Sequence, residues 1–154
     1  MRPLVSERIA RLPKYVPGRS IEAVKRELGL AEIIKLASNE SPLGPSPRAM
    51  EAMRAAMEEI HRYPDDGLEL REALGSRLGV RPQQLILGAG ATELIELCVR
   101  TFGTPEGHAV ISNGSFVAYK IFLLASGVPF AEVPLAKWDL DLDALAAAAK
   151  PNTQ

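Results

Sequence analysis

Cysteine and histidine are scarce in this chain: one Cys and two His stand among 154 residues. A lone thiol, Cys98, excludes an internal disulfide framework and most zinc-site patterns. Lying among Leu94, Ile95, Leu97 and Val99, it is expected to be a buried structural thiol. Long apolar runs are also missing, and none approaches the roughly 18 residues a membrane span needs. The N-terminal stretch "MRPLVSERIARLPKYVPG" lacks the apolar core of a secretory signal. Neither sign of charge dominates: 18 basic residues face 19 acidic ones, for a formal net charge of −1. That balance gives no electrostatic footprint for nucleic acid or an anionic membrane. A soluble, cytoplasmic chain is the expectation, and its 47% hydrophobic share suffices for a real core.

What is present is punctuated by Pro and Gly. Residues 1–45 read as an irregular arm broken by Pro3, Pro13, Pro17 and Gly18, with a short helix at 21–28 and a strand at 32–38. "NESPLGPSP" (39–47) is too rich in turn formers for regular structure. Ser46 and Pro47 form a favoured N-cap and N1 pair. Met50, Met53, Met57 and Ile60 then share one helical stripe, read as core packing. A second helix covers 68–78. From residue 84 onward the pattern is strand (84–88), helix (92–102), strand (108–112), helix (116–126), strand (130–135), helix (141–150). Asp141 is the expected cap of the last. Short connections with helical crossovers predict an incomplete three-layer α/β/α domain with a mainly parallel sheet. "KPNTQ" (150–154) resembles the approach to another strand.

"LILGAGATELIEL" (85–97) joins the first of these strands to its helix through Gly88 and Gly90. A dinucleotide fingerprint needs a third glycine and an acidic residue at the end of the next strand. Glu93 occupies the glycine's place, and Ser112 and Asn113 end that strand. A P-loop fails because no Gly-Lys-Ser/Thr follows. The small residues Gly90, Ala91 and Thr92 nevertheless suit an anion, because helix-start N–H groups and the helix dipole favour negative charge. The Thr92 hydroxyl is placed to cap the helix or to bond a phosphate. Phe116 would lie at the same sheet edge. A phosphate cradle flanked by an aromatic suggests a flat phosphorylated ring, pyridoxal 5′-phosphate; a plain turn and a packed core Phe are the competing readings.

Four linked blocks carry a family resemblance: "KLASNESPLGPSP", "HRYPDDGLELREALGSRLGV", "LILGAGATELIEL" and "SFVAYKIFLLASGVPFAEVPL" followed by "WDLDLDAL". In this order and spacing they resemble histidinol-phosphate aminotransferases, which are fold-type I pyridoxal-phosphate enzymes. The resemblance implies the front part of that family's large domain (46–154) preceded by an arm and small-domain segment (1–45). It implies that the backbone amides of Ala91 and Thr92, after Gly90, hold the cofactor phosphate, and that Phe116 stacks on the pyridine ring. Tyr63 would reach across a homodimer interface to the partner's cofactor phosphate. Tyr15 and Asn39 would lie near the small-molecule substrate, Tyr15 toward its phosphate. Local alternatives are a packed loop aromatic for Tyr63 and a turn former for Asn39.

The chain departs from the family pattern at Thr92, where many relatives are acidic, and at Asn113-Gly114, where a proline usually introduces the aromatic. Transamination also needs a Schiff-base lysine and an acid for the pyridine nitrogen. In the family these come after an asparagine-rich segment that would follow Gln154. Lys14, Lys25, Lys35, Lys120, Lys137 and Lys150 are not in the family's lysine setting, and Lys120 is expected to snorkel to solvent. No catalytic residue is assigned, and the chain alone is expected to be inactive. The alternatives are an aromatic amino-acid aminotransferase of the same family, a non-catalytic fragment or assembly module, and, at a distance, a dinucleotide-binding module.

Overall fold

The structure, a computed structural model, describes residues 4–154. In chain order its helices and strands are α1 (Glu7–Ala10), α2 (Ile21–Leu28), α3 (Pro47–Ala56), α4 (Leu68–Leu78), α5 (Ala91–Phe102), β1 (Ala109–Ser112), α6 (Val117–Ser126), β2 (Phe130–Val133) and α7 (Leu142–Ala147). They fall into two compact units. One combines the N-terminal stretch to Tyr15 with Glu69–Gln154; the other is Val16–Leu68.

The first unit is organised around β1 and β2, which pair in parallel with Ala109 opposite Phe130 and Ser112 opposite Val133. Parallel neighbours need a crossover, and α6 supplies it. Ala118 and Leu123 of α6 are buried with Val128 and Val133. Helix α5 packs on α6, while α6 and α7 pack on β1. Gly127, left-handed at φ 73°, ends α6, and the Arg8 guanidinium lies over it so closely that a β-carbon would collide with Nη1. A cation at a helix C-terminus is favourably placed. Asp141 caps α7 as expected, its carboxylate accepting from the Ala144 N–H at 2.9 Å.

The final residues engage the other edge of β1. The His108 N–H donates to the Asn152 carbonyl at 3.0 Å, and the Gln154 N–H donates to the His108 carbonyl at 2.9 Å. His108 and Thr153 thus form a parallel bridge. The buried His108 ring adds a 3.0 Å bond between Nδ1 and Thr153 Oγ1. The strand-like character of this segment is therefore real.

In the second unit Ser20 caps α2 by accepting from the Ala23 N–H at 3.1 Å, and left-handed Gly29 ends it. Pro47 opens α3, but the Ser46 side chain makes no capping bond. Gly18 packs so tightly on the turn at 37–38 that a β-carbon would sit 2.8 Å from Ser38 Oγ.

Four expectations are corrected. Residues 32–38 and 84–88 form no strand, because an apolar run becomes a strand only when a neighbour accepts from its N–H groups and donates to its C=O groups. The methionine stripe is not core: Met53 and Met57 are each 63% exposed and Ile60 77%. Cys98 is exposed rather than buried. Helix α5 begins at Ala91, not Thr92, so its cap is Gly90.

Candidate phosphate-binding site

The turn between residue 88 and α5 is shaped by two glycines with different jobs. Gly90 has φ 110° and ψ 173°, a region essentially restricted to glycine. Nothing lies within 4 Å of where its β-carbon would be, so the backbone is open to a ligand. Gly88 instead permits close packing: a β-carbon there would meet Glu93 Oε2 at 2.9 Å and Leu94 Cδ2 at 3.0 Å.

The first backbone bond of α5 runs from the Leu94 N–H to the Gly90 carbonyl at 3.3 Å. Among the described residues, the N–H groups of Gly90, Ala91 and Thr92 donate to no protein acceptor. These are the orphan donors that every helix start leaves, here on exposed residues at the positive end of the helix. Thr92 is the second helical residue and makes no capping bond, so its hydroxyl does not cap α5.

Phe116 is held by the turn that follows β1. The Ser115 hydroxyl donates to the Ser112 carbonyl at 2.6 Å, and the Ser115 N–H donates to the same oxygen at 3.1 Å. Asn113 ties the turn to β2: its N–H donates to the Val133 carbonyl at 3.0 Å, and its Oδ1 accepts from the Leu135 N–H at 3.3 Å. Gly114 lies under Leu135, whose Cδ1 would be 2.6 Å from a β-carbon there. Phe116 then caps α6 in an extended conformation and remains 43% exposed. Its ring meets Tyr15, which is half-exposed.

The predicted residues are therefore brought together in part. Gly90, Ala91 and Thr92 form one donor cluster, and Tyr15 joins Phe116 in the same unit. Tyr63 and Asn39 belong to the second unit. Tyr63 is 100% exposed, so it is not a packed loop aromatic. Asn39 follows Ser38 in the left-handed region, at φ 52° and 74°, which Asn tolerates better than most residues. Lys120 does not simply snorkel: its Nζ pairs with Glu132 Oε2 on β2 at 2.6 Å.

Glu93 is a functional candidate that the sequence did not single out: it stands there as a polar-face residue in the place of a dinucleotide fingerprint's third glycine. Its Oε2 accepts from the Ala89 N–H. The available signal was its position, third in the helix, where an acidic side chain reaches back to the turn. An apolar cleft of about 250 Å³ between α5, β1 and α6 is walled by Cys98, Tyr119 and Val128 but includes none of the predicted site residues.

A parallel α/β unit with an open glycine turn at a helix start and an aromatic leading the next helix fits a cofactor-binding domain, and comparison with known proteins gives the family. Residues 31–154 match aminotransferase class I and II, and the chain belongs to that family. It is 46% identical over 145 residues to histidinol-phosphate aminotransferase of Anaeromyxobacter sp. (strain Fw109-5), covering 93% of this chain and 40% of that protein. It is 40% identical over 153 residues to the same-named enzyme of Moorella thermoacetica, covering 99% and 40%. Among solved structures it resembles histidinol-phosphate aminotransferase from Sinorhizobium meliloti in complex with pyridoxal-5′-phosphate. That match has TM-score 0.78 and 29% identity, and covers 94% of this chain and 39% of that one. A Thermus thermophilus aspartate aminotransferase double mutant shares the fold, with TM-score 0.75 at 20% identity. The chain thus spans about 40% of the length of the curated relatives it matches.

Proposed function

We propose that this chain is the front part of a pyridoxal-phosphate-dependent aminotransferase that transfers an amino group between histidinol phosphate and 2-oxoglutarate in histidine biosynthesis. The observation that carries the reading is the triplet of uncommitted N–H groups at Gly90, Ala91 and Thr92. It occurs in a chain similar over nearly its whole length to histidinol-phosphate aminotransferases. Residues 1–45 are the arm and small-domain segment in this proposal, and 46–154 the front of the large domain.

The residues fit the cofactor. A phosphate suits donors at a positive helix end, and the lack of a side chain at Gly90 allows close approach. Phe116 presents an aromatic ring for a pyridine to stack on. When bound, pyridoxal phosphate supplies the electron sink that amino transfer requires. Gly90, Ala91 and Thr92 bind and orient its phosphate, and Phe116 covers the ring and helps exclude water. Tyr15 and Asn39 contact the substrate, with the Tyr15 hydroxyl donating toward the substrate phosphate. Tyr63, fully exposed, hydrogen-bonds the partner's cofactor phosphate in a cytoplasmic homodimer. None of the six lysines is assigned to hold the cofactor covalently, so the chain alone is inactive.

A second reading, an assembly module without activity of its own, draws on the exposed stripe of Met53, Met57 and Ile60. One experiment separates the readings. The chain is joined to the remainder of the Anaeromyxobacter relative, starting where the similarity ends, and assayed with histidinol phosphate and with aromatic amino acids. Transamination of histidinol phosphate supports the proposal, and preference for an aromatic amino acid moves it to that branch of the family. A folded chimera without activity favours the module.

A further inference from the structure

We propose that Glu93 is the positioning residue of the phosphate cradle: by accepting from the Ala89 N–H, its carboxylate holds the turn so that Gly90, Ala91 and Thr92 keep their N–H groups for the ligand. The inference rests on the cofactor reading above and assigns a role to a residue that does not touch the cofactor.

In an ordinary capping box, an acidic third helical residue bonds the N–H of the cap residue itself. That arrangement here would consume the Gly90 N–H. Glu93 reaches one residue further back, to Ala89. The shift is possible because Gly88 has no β-carbon, the place of which lies 2.9 Å from Glu93 Oε2. It is needed because the cap, Gly90, has no side chain to make the usual reciprocal bond. Glycine at the cap gives the backbone its open conformation at φ 110° but also the greatest freedom to leave it. A fixed bond at Ala89 restrains the turn from outside the donor cluster.

Charge argues in the same direction. A carboxylate in the first turn is favoured by the helix dipole, yet it repels a phosphate dianion. Bonding to Ala89 commits the charge to a donor that the ligand does not use. The geometry, not the charge, is therefore what the cradle needs, and glutamine should replace glutamate there. A merely helix-stabilising role would not share that pattern, since Gln lacks the favourable charge at the helix start.

The test uses the ¹⁵N-labelled chain with pyridoxine 5′-phosphate, which cannot form a Schiff base with surface lysines, and pyridoxine as control. Two readouts are taken for the wild type, Glu93→Gln and Glu93→Ala: exchange of the Ala89 amide without ligand, and affinity from amide shifts. The expected result is an Ala89 amide that exchanges slowly in the wild type and Glu93→Gln and at least tenfold faster in Glu93→Ala. Affinity should stay within about threefold in Glu93→Gln and fall at least tenfold in Glu93→Ala, with α5 still helical. Equal affinity in Glu93→Ala and wild type overturns the proposal, as does an Ala89 amide indifferent to the substitution. If the wild type shows the Ala89 pattern but binds neither compound, the cofactor reading fails and the clamp survives only as a helix cap, which also overturns the positioning role.

Discussion

The rings of Tyr15 and Phe116 meet edge to face, with centroids 6.2 Å apart and planes at 88°. An aromatic from the N-terminal arm thus steadies the aromatic that introduces α6. Pairs of this kind are worth about 0.5–1.5 kcal/mol beyond their buried area. A double-mutant cycle of Tyr15→Ala and Phe116→Ala, read by urea unfolding, should give a coupling energy in that range. Tyr15→Phe should leave stability within about 0.5 kcal/mol, since its hydroxyl is not needed for the ring contact. Additive single mutants would show that the contact contributes nothing.

Gly90→Ala should destabilise the chain by about 1–3 kcal/mol through backbone strain alone, because open space surrounds the added methyl group. The cost should not be relieved by trimming any neighbour. Unfolding midpoints of Gly90→Ala in the wild-type and Glu93→Ala backgrounds check this; an unchanged midpoint in the single variant, or a cost that vanishes in the Glu93→Ala background, contradicts it.

Gly114 differs, because its limitation is a neighbour. Its backbone sits beneath Leu135, so Gly114→Ala should cost about 1–3 kcal/mol by overpacking. In a Leu135→Ala background the same substitution should cost far less. Denaturant titration of the four variants measures the difference.

Asp141→Ala should lose about 1 kcal/mol with the cap bond to Ala144, whereas Asp141→Asn should lose a few tenths at most. Thermal melts followed by circular dichroism separate the two.

Met53 on α3 and Met57 just beyond its end, both 63% exposed, leave an apolar stripe that favours association. The double substitution Met53→Lys, Met57→Lys should reduce concentration-dependent self-association in sedimentation velocity. Unchanged association would place the contact elsewhere.

Most of the helices were legible because they announce themselves locally; the exception is the single turn of α1 behind its cap Ser6, in a stretch that reads as an irregular arm. Ser20 and Gly29 bracket α2, Pro47 opens α3, Gly127 closes α6, Asp141 caps α7, and the apolar spacing within these segments is helical. The strands were legible only where a partner exists. "HAVIS" and "FAEVPL" pair with each other, whereas residues 32–38 and 84–88 have apolar character but no ladder. The methionine stripe and Cys98 misled for a related reason: periodicity records a face suited to burial, not whether something covers it. At the candidate site, the Gly90-Ala91-Thr92 donors were readable from small residues at a helix start. The reach of Glu93 to Ala89 was not, since it depends on where a flexible side chain settles in space. The Tyr15 contact with Phe116 joins residues about a hundred positions apart, which spacing cannot foresee.

The most direct test of the account is a titration of the ¹⁵N-labelled wild-type chain that compares pyridoxine 5′-phosphate with pyridoxine. The account predicts saturable shifts of the Gly90, Ala91 and Thr92 amides with the phosphorylated compound, accompanied by the Phe116 ring signals, and none with the other. Identical responses to both compounds, or shifts confined to residues away from that turn, would contradict it.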